Sequence, residues 1–103
     1  MGSLSEINFN YEQAMRQART LEELAEKITN ASERDMGDIL NDVNSAWKSD
    51  NSAQYLKKGQ KVKEDMLTTA ENVERIAATI KTIAARIREA ELEAWRIANE
   101  RKS

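Results

Sequence analysis

The feature that most restricts this chain is a stripe of apolar side chains in its second half. Val62, Met66, Thr69, Val73, Ile76, Ile80, Ile83, Ile87, Ala90, Ala94 and Ile97 follow one another at alternating steps of four and three, unbroken over about five heptads. Such steps average about 3.5 residues, the period of an α-helix wound against a neighbour in a left-handed supercoil. Placing Met66, Val73, Ile80 and Ile87 at heptad position a, and Val62, Ile76 and Ile83 at d, brings Ala70, Ala77, Ala84 and Ala98 to position e. The alanines widen the stripe and are small enough for close helix approach, so this helix has room for two neighbours at once. The seven larger side chains are the candidate partner-binding seam.

Nothing in the composition opposes long helices. Proline is absent, only three glycines occur, and Ala, Glu, Lys, Arg, Ile and Leu dominate, which removes the main helix breakers and supplies strong helix formers. In the first half, Ala14, Ala18, Leu21, Ala25 and Ile28 recur at steps of four and three, and Met36, Ile39 and Val43 resume the stripe after an extra step of four through Ser32. This predicts one long helix with a stutter. Asn10, followed three residues later by Gln13, resembles a capping box and places the start of helix one near Tyr11. Gly37 lies inside this helix, where it costs roughly 1 kcal/mol against Ala, enough to bend or fray it.

Between Val43 and Ala53 runs Asn-Ser-Ala-Trp-Lys-Ser-Asp-Asn-Ser, the one cluster of turn formers in the middle of the chain. The expected fold is all-α: a single domain over 1–103 formed by an antiparallel two-helix hairpin, with helix one over about 10–45, a turn at 46–51 and helix two over about 52–100. Asp50 or Asn51 is expected to cap helix two. Folding about position 48 sets Asp35, Asp38 and Asp42 across from Lys57, Lys58 and Lys61, a charge pattern that favours this register. It also brings Tyr11 near residue 86, so Ala90, Ala94 and Ile97 need cover from Leu4, Ile7 and Phe9 or from a second chain.

Several function classes drop out. There is no cysteine or histidine, which removes disulfides, thiol and imidazole catalysis and the common zinc and haem ligands; no cofactor is implied. Net charge is −2, from 16 basic and 18 acidic residues, so no excess of cations is available for a nucleic-acid backbone. The run Lys57, Lys58, Lys61, Lys63 is followed at once by Glu64 and Asp65 and is read as a self-neutralised face. Glu89, Glu91 and Glu93 alternate around the helix, so they form neither a metal site nor an acid/base pair. Residues 1–10 hold neither a basic leader nor an apolar run of about 7–15 residues, and no run of roughly 18 apolar residues occurs. Neither a cleavable signal peptide nor membrane insertion is expected.

Trp47 at the turn can lie across the ends of two helices and plug the gap between them. Ser49 permits a tight connection, and with no histidine or cysteine anywhere in the sequence it is not read as a nucleophile. Two long helical arms around a central Ala46-Trp47-Lys48-Ser49, in a chain of 103 residues, resemble the WXG (ESAT-like) family, the small proteins of bacterial type VII secretion. The resemblance covers nearly the whole chain, with serine in place of the motif's glycine. It implies a non-enzymatic hairpin that pairs as a homodimer, or as a heterodimer with a related WXG-like protein, into a four-helix bundle. It further implies export in the folded state without a cleavable signal peptide, through the type VII secretion ATPase, as an effector or as a targeting partner of the LXG domain of a toxin. The family's C-terminal Tyr with an acidic residue four positions on is absent in strict form. Trp95 with Asn99, and Ile87 with Glu91, approximate it and are the candidate export signal. Trp95 is expected either to pack on Leu4, Ile7 or Phe9 or to meet a partner. The contrasting reading is a coiled-coil scaffold unrelated to secretion, which predicts one extended rod through residues 40 to 55.

Overall fold

The computed structural model describes residues 2–46 and 50–102. The described residues are helical from Leu4 onward, with no strand among them. Helix α1 spans Leu4–Asn30, a π-helical segment Ala31–Met36 follows, α2 spans Gly37–Ala46 and α3 spans Asp50–Lys102. The predicted turn motif Trp47, Lys48 and Ser49 lies outside the described residues. By their internal contacts the residues divide into two compact units, Met1–Leu21 with Arg75–Ser103, and Glu22–Glu74. Each unit pairs a segment of the first arm with a segment of α3, so the two-helix hairpin class holds. Met36, Ile39 and Leu40 share a groove with Tyr55, Lys58, Gly59 and Val62, which places the two sides of the reversal against each other and rules out a continuous rod through 40–55.

Helix one starts a full two turns before the expected position. Its cap is Ser3, whose hydroxyl accepts from the Glu6 N–H at 3.2 Å, while the Ser3 carbonyl accepts from the Ile7 N–H at 3.0 Å. Ser3-Leu4-Ser5-Glu6 has the spacing of a capping box. Ile7, four residues past the cap, is buried, and burial of that side chain favours continuing the helix back to Ser3. Asn10 therefore sits inside α1.

The stutter takes the form of the π-helical segment. Ile28, Ser32 and Met36 are separated by two consecutive steps of four, and one wider turn absorbs the surplus while keeping the inner face aligned. Ser32 is fully buried there, and its hydroxyl donates to the Lys63 carbonyl of α3 at 2.8 Å. Beyond it the inner positions are Met36, Leu40 and Val43, and Ile39, which the stripe placed inward, is largely exposed. Gly37 takes ordinary right-handed helical angles, so the irregularity falls at Ala31–Met36 and not at the glycine.

The 53 residues of α3 contain one glycine with a packing role. A methyl group at Gly59 would collide with the Leu40 side chain, so the missing Cβ lets α2 approach α3 closely. β-Branched residues in α3 do not leave their hydroxyls idle. Thr69 and Thr79 donate back to the carbonyls of Asp65 and Arg75 at 3.0 and 2.9 Å, satisfying the side chain within its own helix.

Candidate association surface

The buried set is made of small residues. Ala18, Ala25, Ala70, Ala77 and Ala84 are buried, with Ile7 and Ser32 the largest fully enclosed side chains. On α3 the buried alanines fall seven apart; on the first arm Ala18, Ala25 and Ser32 do the same. A stripe repeating every seven residues with side chains this short allows close helix packing with little void.

The predicted seam lies beside this stripe, and its residues separate into two groups. Met66, Val73 and Ile80 are half-buried. Val62, Ile76, Ile83 and Ile87 are exposed, Ile76 to 53% although its neighbour Ala77 has no exposed surface at all. The first arm thus takes the alanine edge of the apolar face and leaves the branched edge open. Thr69, also assigned to the seam, is exposed.

Exposure continues in the unit formed by Met1–Leu21 and Arg75–Ser103. Ile97 and Leu4 are exposed, and Phe9 is exposed to 62%. Of the three N-terminal side chains expected to cover the α3 tail, only Ile7 is buried. Ile76, Ile83, Ile87 and Ile97 are all exposed on the α3 part of this unit, and exposed apolar side chains grouped in this way are the kind of feature that marks an interaction surface.

In the same unit Ile7, Asn10, Tyr11, Ala14, Ala84, Ile87, Arg88 and Glu91 line a cavity of about 250 Å³. Tyr11, expected near residue 86, lies under Arg88, whose guanidinium carbon is 4.0 Å from the ring centroid. That distance is within the range of a cation–π contact, and the ring covers part of the guanidinium. Arg88 Nε is buried and has no hydrogen-bond acceptor.

The tail residues Ile87, Glu91, Trp95 and Asn99 all lie on α3. Trp95 and Glu91 are half-buried, and Asn99 donates its side-chain amide to the Trp95 carbonyl at 2.8 Å. Around them Arg96 bridges two acids, with its Nε 3.2 Å from Glu93 and its Nη1 2.6 Å from Glu100. Hydrogen bonding to Arg96, with its charge in support, holds the Glu93 carboxyl below its ordinary range and lifts the Arg96 guanidinium above its own.

The cross-arm ion pairs expected from the sequence do not form. No ion pair joins Asp35, Asp38 or Asp42 to Lys57, Lys58 or Lys61; Lys61 instead reaches Asp65 one turn along α3, at 3.9 Å and largely exposed. The register is set by Leu40 against Gly59 and by Ser32 against Lys63. Among the described residues there is no cluster of acids able to hold a metal and no helix long and apolar enough to cross a membrane. No protein-family model matches the chain, and neither a curated protein nor a solved structure does so.

Proposed function

We propose that this protein acts by association, as a non-enzymatic WXG-like protein of type VII secretion. In this reading it pairs with a second copy or a related chain and travels with it, as an effector or as a targeting partner for a toxin's LXG domain. The observation that carries the association is the open branched edge of α3, Val62, Ile76, Ile83 and Ile87, beside a buried alanine stripe. Covering half-exposed isoleucines removes apolar area from water at about 25 cal/mol per Å², and a second helical pair laid along α3 is the simplest cover. The secretion part rests on the resemblance carried by Ala46-Trp47-Lys48-Ser49 between two helical arms.

Two measurements test the two parts. Sedimentation equilibrium should show self-association, or the chain should recover a helical partner from the cells that make it. A stable monomer at concentrations on the order of 100 µM, a Kd that would leave less than about 6 kcal/mol for pairing, with no partner recovered, would overturn the association. Deleting the type VII ATPase of the producing cell should keep the chain inside. Unchanged appearance in the medium would overturn the secretion part alone.

A further inference from the structure

The association reading leaves open where a second copy sits, and the cavity beside Tyr11 carries information about that. Arg88 and Glu91 line it together, one turn apart on α3. Both are half-buried, and neither has a hydrogen-bond or ion-pair partner among the described residues; the contact Arg88 makes is with the Tyr11 ring. Arg96, by contrast, holds carboxylates one turn before and one turn after it along its own helix. Arg88 has Ala84 and Leu92 four residues away on either side, so Glu91 is the one acid its helix offers, and stacking on Tyr11 directs the guanidinium toward α1. Its Nε–H is buried without an acceptor, a state that costs free energy.

We propose that this cavity is the two-fold centre of a homodimer contact in which Arg88 of each copy binds Glu91 of the second copy. A symmetric contact requires that residue i of one copy meet j of the other while j meets i. A cavity bearing one unpaired cation and one unpaired carboxylate is self-complementary in that sense. Ile87, which lines the cavity and is half exposed, would exclude water from the two charge pairs once covered, which strengthens them relative to pairs in solvent. This placement rests on the association reading and makes Arg88 and Glu91 its specificity determinants.

The test is a charge-swap pair measured by sedimentation equilibrium or by fluorescence anisotropy of the labelled full chain. In Arg88→Glu, acids face acids across the axis; in Glu91→Arg, cations face cations. Each variant alone should self-associate at least tenfold more weakly than the unchanged chain, and an equimolar mixture should form a heterodimer within about threefold of the original affinity. Circular dichroism establishes that each variant is folded. Glu91→Arg and Glu91→Gln leave the Tyr11–Arg88 stack intact and keep the test valid where Arg88→Glu unfolds. If the unchanged chain dimerises and either single variant dimerises equally well, or the mixture recovers nothing, the placement is overturned and the association reading survives. If the unchanged chain is a monomer throughout, the placement falls, and the association reading falls with it only when no helical partner is recovered from the producing cells.

Discussion

The two edges of the apolar face of α3 have opposite fates. Ala70, Ala77 and Ala84 are buried against the first arm, whereas Val62, Ile76 and Ile83, each one position earlier in the heptad, remain about half exposed. Larger apolar groups have more to gain from burial, yet the chain encloses its smallest ones. Close approach is what the alanine edge provides: short side chains bring backbones together and let many weak dispersion contacts accumulate. The branched edge keeps its area for another surface. One edge is therefore expected to determine whether the chain folds, and the other whether it associates.

The sharpest way to break that division is to enlarge the alanine edge. Ala77→Leu inserts three heavy atoms where there is no exposed surface, and overpacking of this kind costs about 1–3 kcal/mol, occasionally more. In a domain this small such a loss lowers the thermal midpoint by roughly 4–8 °C per kcal/mol, as a circular dichroism melt at low concentration would show. If the melt does not move, the helices can separate freely and the close-packing account is wrong.

The branched edge should respond in the reverse sense. Ile76→Ser combined with Ile83→Ser removes apolar groups that the single chain covers only by half, so the dilute melt should shift by less than the Ala77→Leu melt. Self-association should weaken much more. Losing about 1 kcal/mol of burial per side chain, counted on both copies, gives at least tenfold in Kd. Equal losses in folding and pairing would mean that both edges belong to one core.

How far the sequence exposed this arrangement follows from what a period encodes. The unbroken four-three stripe was sufficient for α3, and the extra step through Ser32 located the irregular turn, because both are properties of one helix. Which edge of a broad stripe the first arm takes is a property of two helices. Assigning the seam to a and d put Val62, Ile76 and Ile83 at the centre of the face, whereas the fold centres on Ala77. A signal was available in Ala18, Ala25 and Ser32, whose steps of seven match those of Ala70, Ala77 and Ala84. The start of α1 was likewise marked, by Ser3 and Glu6. The cavity of Tyr11, Arg88 and Glu91 was not legible, because stacking of Arg88 on Tyr11 depends on a register that charge pairing did not set.

The two interior glycines sharpen the close-packing half of the comparison with a smaller effect. A Cβ at Gly37 meets nothing within 4 Å, so Gly37→Ala should raise stability by about 0.5–1 kcal/mol through helix propensity and a less free unfolded chain. The same change at Gly59 gains that amount and then drives a methyl into Leu40, a clash of the kind that costs about 1–3 kcal/mol. Gly59→Ala should be the less stable variant in parallel urea titrations, and Leu40→Ala should remove the difference. Equal gains at both sites would show that Leu40 moves aside without loss.

The smallest expected effect lies in the α3 tail. Glu93 is exposed and its carboxyl is held below its ordinary range, first by hydrogen bonding to Arg96 and then by the attraction of the two charges. A carboxyl with a depressed folded-state pKa adds stability above its unfolded value, and that contribution is lost as pH falls through the folded value. The raised Arg96 pKa acts in the same direction from the alkaline side, since its contribution is present below the ordinary guanidinium value and disappears only at extreme alkaline pH. Lowering the pH through the carboxylate range should therefore reduce helicity around residues 93–100 slightly, read from their Cα chemical shifts, and Glu93→Gln should remove most of that pH dependence. Because the pair is solvated, added salt should shrink the effect. A pH step that persists unchanged in Glu93→Gln would assign it to other carboxyls of α3, and the tail would then owe its order to the half-buried face around Trp95 alone.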